Sequence, residues 1–187
     1  LDIALAIDGR RTTGEVVLTG YGLEGSGVYS IGYYITQKLF SSGSCTLDLD
    51  LLPGLSVSQI AKRLQKPRGK NSLSNYLRKT LGVSGTKFLL LKESASAELL
   101  TDIQKHPELF KSLSVTITGS RPVEEAISST GGIKFSELDD NMMLRSRPGI
   151  FIIGEMADWT APTGGYLLQG CFSTAFCAAK GIMDFIS

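Results

Sequence analysis

Two clusters in this 187-residue sequence have residue types and spacings suited to chemistry. The more specific one lies near the C-terminus: Pro148-Gly149-Ile150-Phe151-Ile152-Ile153-Gly154-Glu155-Met156-Ala157-Asp158, then Thr163-Gly164-Gly165-Tyr166-Leu167-Leu168-Gln169. An apolar strand ending at a Gly-acid pair puts a carboxylate where it can accept hydrogen bonds from ligand hydroxyls, such as those of a ribityl chain. A helix opening at Gly-Gly a few residues later offers uncapped N–H groups and a positive dipole end to negative charge, such as a pyrophosphate. Glycine at those positions lets a ligand approach without a side chain in the way. The bland alternative is a helix packed on a strand with no ligand.

The second cluster is Gly20-Tyr21-Gly22-Leu23-Glu24-Gly25, a literal GxGxxG between a strand and a helix, with Asp48 23 residues past its last glycine. On spacing alone it resembles a dinucleotide fingerprint. Its preceding strand is only Val16-Val17-Leu18, however, whereas a central parallel strand is a longer apolar run. A glycine-rich strand-to-helix turn explains it as well. A single histidine, His106, gives no His/Cys metal set, and its place before Pro107 suits a helix start or a surface turn. Cys45, Cys171 and Cys177 form no CxxC, and their odd number points to a reducing, cytoplasmic compartment. On one helix Cys171 and Cys177 would lie roughly 240° apart, too far round to face each other.

These residues need elements to position them. Residues 3–7 and 15–18 read as a hairpin joined through Asp8-Gly9-Arg10-Arg11, residues 28–40 as an amphipathic helix, and residues 45–51 as a half-buried strand. From 56 to 110 the signals are helical, with segments starting at Ser56, spanning 71–81 and spanning 96–104. Residues 115–118 return to a strand, 126–133 suit a short strand and glycine turn, 150–153 a buried strand, and 163–186 a glycine-led apolar helix. Residues 159–179 carry no charge, but Pro162, Gly164, Gly165, Gln169, Ser173 and Thr174 make them a helix buried in protein, not a membrane span.

Charge is unevenly placed. The net +1 conceals nine bases and no acid between Leu51 and Lys92 (Lys62, Arg63, Lys66, Arg68, Lys70, Arg78, Lys79, Lys87, Lys92), so that stretch carries +9 and the remainder −8. A solvated basic face ranks first, a local anion site second and a nucleic-acid surface third, because only Tyr76 and Phe88 interleave the bases.

The C-terminal pattern, Pro148-Gly149, Gly154-Glu155, Asp158, Thr163-Gly164-Gly165-Tyr166 and Gln169, resembles that of the bacterial NAD(FAD)-utilising dehydrogenase-like flavoproteins, which include aminoacetone oxidases and bile-acid-intermediate reductases. Upstream, residues 126–133 are similar to the family's A-x-x-T-x-GG-V segment, with Thr130 one place late. Residues 19–29 are similar to its TxxGLSG segment and residues 47–53 to its acidic strand ending in LLP, while Pro67-Arg68-Gly69-Lys70-Asn71-Ser72-Leu73 matches one subgroup's basic signature.

The resemblance implies an α+β fold. Residues 1–120 would be an inserted, substrate-side domain with a helical subdomain at about 56–110. Residues 121–187 would be the C-terminal strand and helix segment of a two-dinucleotide-binding-type FAD domain. It also implies that the N-terminal Rossmann portion lies outside this chain as a partner of the same polypeptide, and that Gly20 to Gly25 belongs to the inserted domain. Carried over, Glu155 after Gly154 would hold the ribityl or ribose side of FAD. Gly164, Gly165, Tyr166 and Leu167 would meet flavin and pyrophosphate through backbone N–H groups, Gly131, Gly132 and Ile133 would lie near the isoalloxazine, and Asp158 could orient the loop.

The implied activity is FAD-dependent oxidation or reduction of a small-molecule substrate, with the fragment alone inactive. A role for NAD(P), the catalytic acid or base and the substrate are left open. The competing expectation is a non-enzymatic module that binds nucleic acid or another polyanion through the basic helical segment.

Overall fold

The computed structural model describes residues 2–161 and 164–187, so Leu1 and the predicted site positions Pro162 and Thr163 lie outside the described residues. The chain divides into two compact units, residues 1–119 and 120–187.

In the first unit, β1 (Asp2–Ile7) and β2 (Arg10–Glu15) form an antiparallel hairpin with Ile7 opposite Arg10. Asp8 and Gly9 both have positive φ, 49° and 76°, the geometry of the two-residue turn whose twist suits a hairpin. The turn is therefore shorter, and the second strand earlier, than the expected 15–18. The sequence of β2, RRTTGE, contains no large apolar residue; as an edge strand it is held by the backbone ladder, and no hydrophobic alternation betrays it. Next, β3 (Val17–Thr19) pairs with β4 (Gly22–Glu24), then α1 (Ser26–Ser42) leads into β5 (Cys45–Asp50). The helical group follows as α2 (Val57–Leu64), α3 (Leu73–Leu81), α4 (Gly85–Ser94) and α5 (Ala97–Thr101), with 3-10 turns at Ile103–Lys105 and Pro107–Phe110. The chain then returns through β6 (Leu113–Ile117). The main sheet is antiparallel with order β2-β1-β5-β6.

One core serves sheet and helices. Ile3, Leu5, Leu47 and Leu49 from the sheet share a buried cluster with Ile31 and Ile35 of α1 and with Ile60, Leu64, Leu77, Leu91 and Phe110 of the helical group. Each such side chain contributes about 1.5–3 kcal/mol. Serine side chains cap three of the helices: Ser56 makes a reciprocal capping box with Gln59, and Ser72 and Ser96 accept from the backbone N–H groups of Asn75 and Leu99. Helix α4 was absent from the expected elements because its Phe88-Leu89-Leu90-Leu91 run shows no helical period; Leu90 and Leu91 are buried while Leu89 is half exposed. The expected 96–104 helix breaks at Asp102, and His106 caps the 3-10 turn begun by Pro107, with its Nδ1 3.0 Å from Glu108 Oε1. Burial, reinforced by the Asp8 carboxylate, pushes the Cys45 thiol up, so it is a poor nucleophile.

The second unit is mostly loop around α6 (Gly165–Ile186). The two strands expected at 126–133 and 150–153 are reduced to isolated bridges, Ile133 with Ala157 (parallel) and Met143 with Phe151 (antiparallel). Among the described residues no strand lies beside 150–153 to extend the ladder, and Ile150 and Ile153 are each about two-fifths exposed. A small core of Leu138, Met142, Ile152, Ala157 and Ala178 holds the unit together. No helix among the described residues is long and apolar enough to cross a membrane.

Asp50 is the single buried charged side chain among the described residues, 5% exposed. Its Oδ2 takes Arg11 Nη2 and Lys111 Nζ, each at 2.7 Å, and its Oδ1 accepts the Leu52 N–H at 3.0 Å. Asp50→Ala is expected to cost about 3 kcal/mol, because it removes the common counter-ion of two cations. Urea denaturation followed by circular dichroism measures this, and a loss below 1 kcal/mol would show that the cluster does not carry the fold.

Candidate functional site

The literal GxGxxG is not a nucleotide turn. Residues 20 and 21 form the tip of the β3–β4 hairpin, with Leu18 opposite Leu23 and Thr19 Oγ1 donating to the Gly22 carbonyl. Tyr21 is 60% exposed at that tip. A dinucleotide fingerprint needs a parallel strand running into its helix, whereas here the strand doubles back first. Asp48, the would-be ribose ligand, accepts instead from Ser114 Oγ on the neighbouring strand at 2.7 Å. Gly20 to Gly25 is therefore hairpin and helix start, not a dinucleotide site.

The C-terminal motifs do come together in part. Ile133 N–H donates to the Met156 carbonyl at 2.9 Å and Asp158 N–H to the Ile133 carbonyl at 2.8 Å, so the Gly131-Gly132-Ile133 segment lies in parallel against 156–158. Gly132 is required there: a Cβ would sit 2.5 Å from the Met156 carbonyl oxygen. Gly131, at φ 92°, has open space around it. Glu155, in a 3-10 turn at Gly154–Met156, accepts the Ser129 N–H through Oε1 at 3.3 Å, which closes the 129–133 segment onto the Gly-Glu pair. Asp158 acts here through its backbone N–H.

That assembly rests on α6. Gly154 N–H donates to Thr174 Oγ1 at 3.0 Å, and Trp159 Nε1 donates to the Gly154 carbonyl at 2.7 Å, so both backbone polar groups of Gly154 are satisfied by side chains. Trp159 lies against Gly170, where a Cβ would collide with its indole ring. Sequence reasoning missed Ser129, Trp159 and Thr174. The one signal present was the sole tryptophan beside the Gly-Glu motif; a serine and a threonine in a loop and a helix carry none.

The predicted helix N-terminus stands apart from this contact. Gly164 is the N-cap of α6 at φ 127°, with no side-chain cap and no acidic residue in the first turn. Gly164 and Gly165 have nothing within 4 Å of a built Cβ, Tyr166 is 77% exposed, and Leu167 is buried, so the first turn is anchored by Leu167 while its glycine backbone stays open. From 165 to 174 the helix rises roughly 13 Å. Residues 131–133 with 154–155 thus form one locus, and residues 164–167 form a second, farther along α6. An open glycine backbone at a helix N-terminus fits a pyrophosphate, and a carboxylate beside an exposed glycine segment fits a polyhydroxylated chain, so the residues suit the two ends of an extended dinucleotide.

Residues 2–128 match the family described as HI0933-like protein barrel and H2TH domain. The chain belongs to this family. Among curated relatives, the HI0933-like chain is 25% identical over 182 residues to the 3-dehydro-bile acid delta(4,6)-reductase of Clostridium scindens, covering 92% of this chain and 44% of that protein. It is 28% identical over 181 residues to the ribosomal RNA dihydrouridine synthase of Escherichia coli, covering 90% of this chain and 42% of that protein. The chain therefore spans less than half the length of these relatives. A reductase among them supports an oxidoreductase-type family.

Gly170→Ala is expected to push Trp159 off α6 and cost about 1–3 kcal/mol by overpacking. The emission of this single tryptophan should shift to the red; an unchanged spectrum and melting temperature would show that the Trp159 contact does not hold the Gly-Glu loop.

Proposed function

We propose that this chain is the C-terminal part of a cytoplasmic FAD-dependent oxidoreductase, in which residues 2–119 form the substrate-side domain and residues 120–187 complete the flavin site. What carries this reading is the hydrogen-bonded joining of Gly131-Gly132-Ile133 to the Gly154-Glu155 turn, on a helix whose N-terminal glycines are uncapped. The FAD, when bound, supplies the redox chemistry. Glu155 accepts hydrogen bonds from its ribityl or ribose hydroxyls, and the amides of residues 164–167 face its negative groups. Residues 131–133, held in register by Met156 and Asp158, border its ring.

The rest of the FAD site, on this proposal, is an N-terminal Rossmann portion that packs on α6. The helix is apolar on two sides. Leu167, Ala178 and Gly181 are buried within the second unit, whereas Leu168, Phe172, Phe176, Met183 and Ile186 lie within about 80° of one another on a different face. All five are more than half exposed. A helix that is apolar on both faces is buried on both in a finished fold. The substrate is a small molecule held against the flavin. The two relatives act, by their names, on a bile-acid derivative and on ribosomal RNA, and the proposal follows the first of them.

Two measurements test the proposal. The 187-residue chain alone is expected to leave the visible spectrum of added FAD unperturbed; stoichiometric FAD on it would show that the site is not shared with another portion. In the protein extended to the length of its relatives, Glu155→Ala is expected to weaken FAD binding about tenfold, the worth of one charge-assisted hydrogen bond. Unchanged affinity by fluorescence titration would remove Glu155 from the site.

A further inference from the structure

The flavin reading leaves the nine-base stretch unused. Lys87 is accounted for internally: its Nζ donates to the carbonyls of Asp2 and Leu51 at 2.9 and 2.7 Å, and burial lowers its pKa. The other eight bases are exposed, and among the described residues none of them forms an ion pair. Lys62 and Arg63 in the last turn of α2, and Arg78 and Lys79 in the last turn of α3, sit where cations complement the helix dipole. Lys92, in the last turn of α4, is placed in the same way, which accounts for five. The dipole does not account for Lys66, Arg68 and Lys70, which lie on the loop between α2 and α3.

The loop is built, not slack. At its start, the Leu64 carbonyl accepts from Tyr76 Oη at 2.6 Å and from Gln104 Nε2 at 3.0 Å, and Gln104 Nε2 also reaches the Lys66 carbonyl at 3.2 Å. At its tip, Asn71 closes a reciprocal turn: Arg68 Nε donates to the Asn71 carbonyl and Asn71 Nδ2 to the Arg68 carbonyl, both at 2.9 Å, with Gly69 between them at φ 56°. Lys79 Nζ then donates to Asn71 Oδ1 at 3.0 Å. Asn71 therefore accepts from two cations, Arg68 at its backbone carbonyl and Lys79 at its side-chain oxygen, without neutralising either. Two like charges repel, so the arrangement suits an anion that spans both.

We propose that the loop at residues 66–72, with Arg68, Lys70 and Lys79 as its anchors and Lys62, Arg63, Lys66 and Arg78 around it, seats the phosphodiester backbone of a nucleic-acid duplex. Aromatic placement selects a duplex over a single strand. Tyr76 is buried with its hydroxyl spent on the loop, and Phe88 packs against the core, so no exposed ring in the group offers a stacking platform for bases. Backbone contact from lysines and arginines is instead the sequence-independent mode of holding a duplex. This proposal does not rest on the flavin reading, and its test reads no flavin.

The test is fluorescence anisotropy of the full 187-residue chain with a labelled RNA duplex and with a DNA duplex of the same sequence, as a function of salt. Binding to either supports the proposal, and the stronger arm identifies the backbone. The triple variant Arg68→Ala, Lys70→Ala, Lys79→Ala should reduce the slope of log affinity against log salt by about 2.7, roughly 0.9 for each lost phosphate contact. The affinity lost between about 50 and 200 mM salt then shrinks about 40-fold. Lys70→Glu alone, at an exposed loop position, should weaken binding about tenfold at about 100 mM salt, should the triple variant fail to fold. Lys105→Ala, which removes an exposed cation paired with Asp102 outside this stretch, should leave the slope unchanged. Binding to neither duplex, an unchanged slope in the triple variant with unchanged affinity in Lys70→Glu, or an equal loss in Lys105→Ala would overturn the proposal.

Discussion

The buried carboxylate of Asp50 is the constraint around which residues 2–119 are organised. Withdrawing a carboxylate from water costs several kcal/mol, and only close, well-directed partners offset it. Those partners come from separate places in the chain: Arg11 from the edge strand β2, Lys111 from just before β6, and the Leu52 amide from the loop that leaves the sheet. Lys111 also donates to the Leu52 carbonyl at 2.9 Å, and Lys87 of α4 donates to the Leu51 carbonyl. The end of β5 is thus the fastening point where the sheet is tied to the helical group. Three cations converge on two residues of backbone and one carboxylate, and this is where one of the nine bases goes.

With that point fastened, the helical group carries its remaining cations at the surface. Hydrogen bonds from Tyr76 and Gln104 to the Leu64 carbonyl continue the same logic outward, since each satisfies a carbonyl that the end of α2 would otherwise leave open. The second unit follows a different rule. Its core is small, its would-be strand at 150–153 pairs at one residue, and its long helix exposes a stripe of Leu168, Phe172, Phe176 and Met183. Such a segment gains its stability from what it packs against. On the proposed reading, the unit completes a larger domain, and the chain spans less than half the length of its relatives.

Legibility in the sequence tracked how directly each element's stability comes from its own residues. Helices α1, α2 and α3 and strand β5 announce themselves because their apolar residues recur at the period of the element that buries them. Strand β2 does not, since an edge strand of Arg, Thr, Gly and Glu is held by its neighbour's ladder, and α4 hides in a continuous apolar run. The GxGxxG string shows the opposite failure: the hexamer is present, but Thr19 and Gly22 pair across a hairpin, and backbone pairing decides what the glycines do. At the candidate site, residue types and spacing single out Gly154-Glu155 and Gly164-Gly165, whereas Gly131-Gly132 enters through the resemblance to the flavoprotein family. The contacts that set them in place, Ser129 to Glu155, Gly154 to Thr174 and Trp159 against Gly170, join residues 11 to 26 apart and of ordinary type, which spacing cannot reveal.

The central claim is that these segments belong to a flavin site completed by further chain. The most direct measurement is the absorption spectrum of the protein purified at the full length of its relatives, with the cofactor identified after acid release. The account predicts a yellow protein with flavin bands and one FAD recovered per chain. A colourless protein of that length, folded by circular dichroism and unable to take up added FAD, would contradict it.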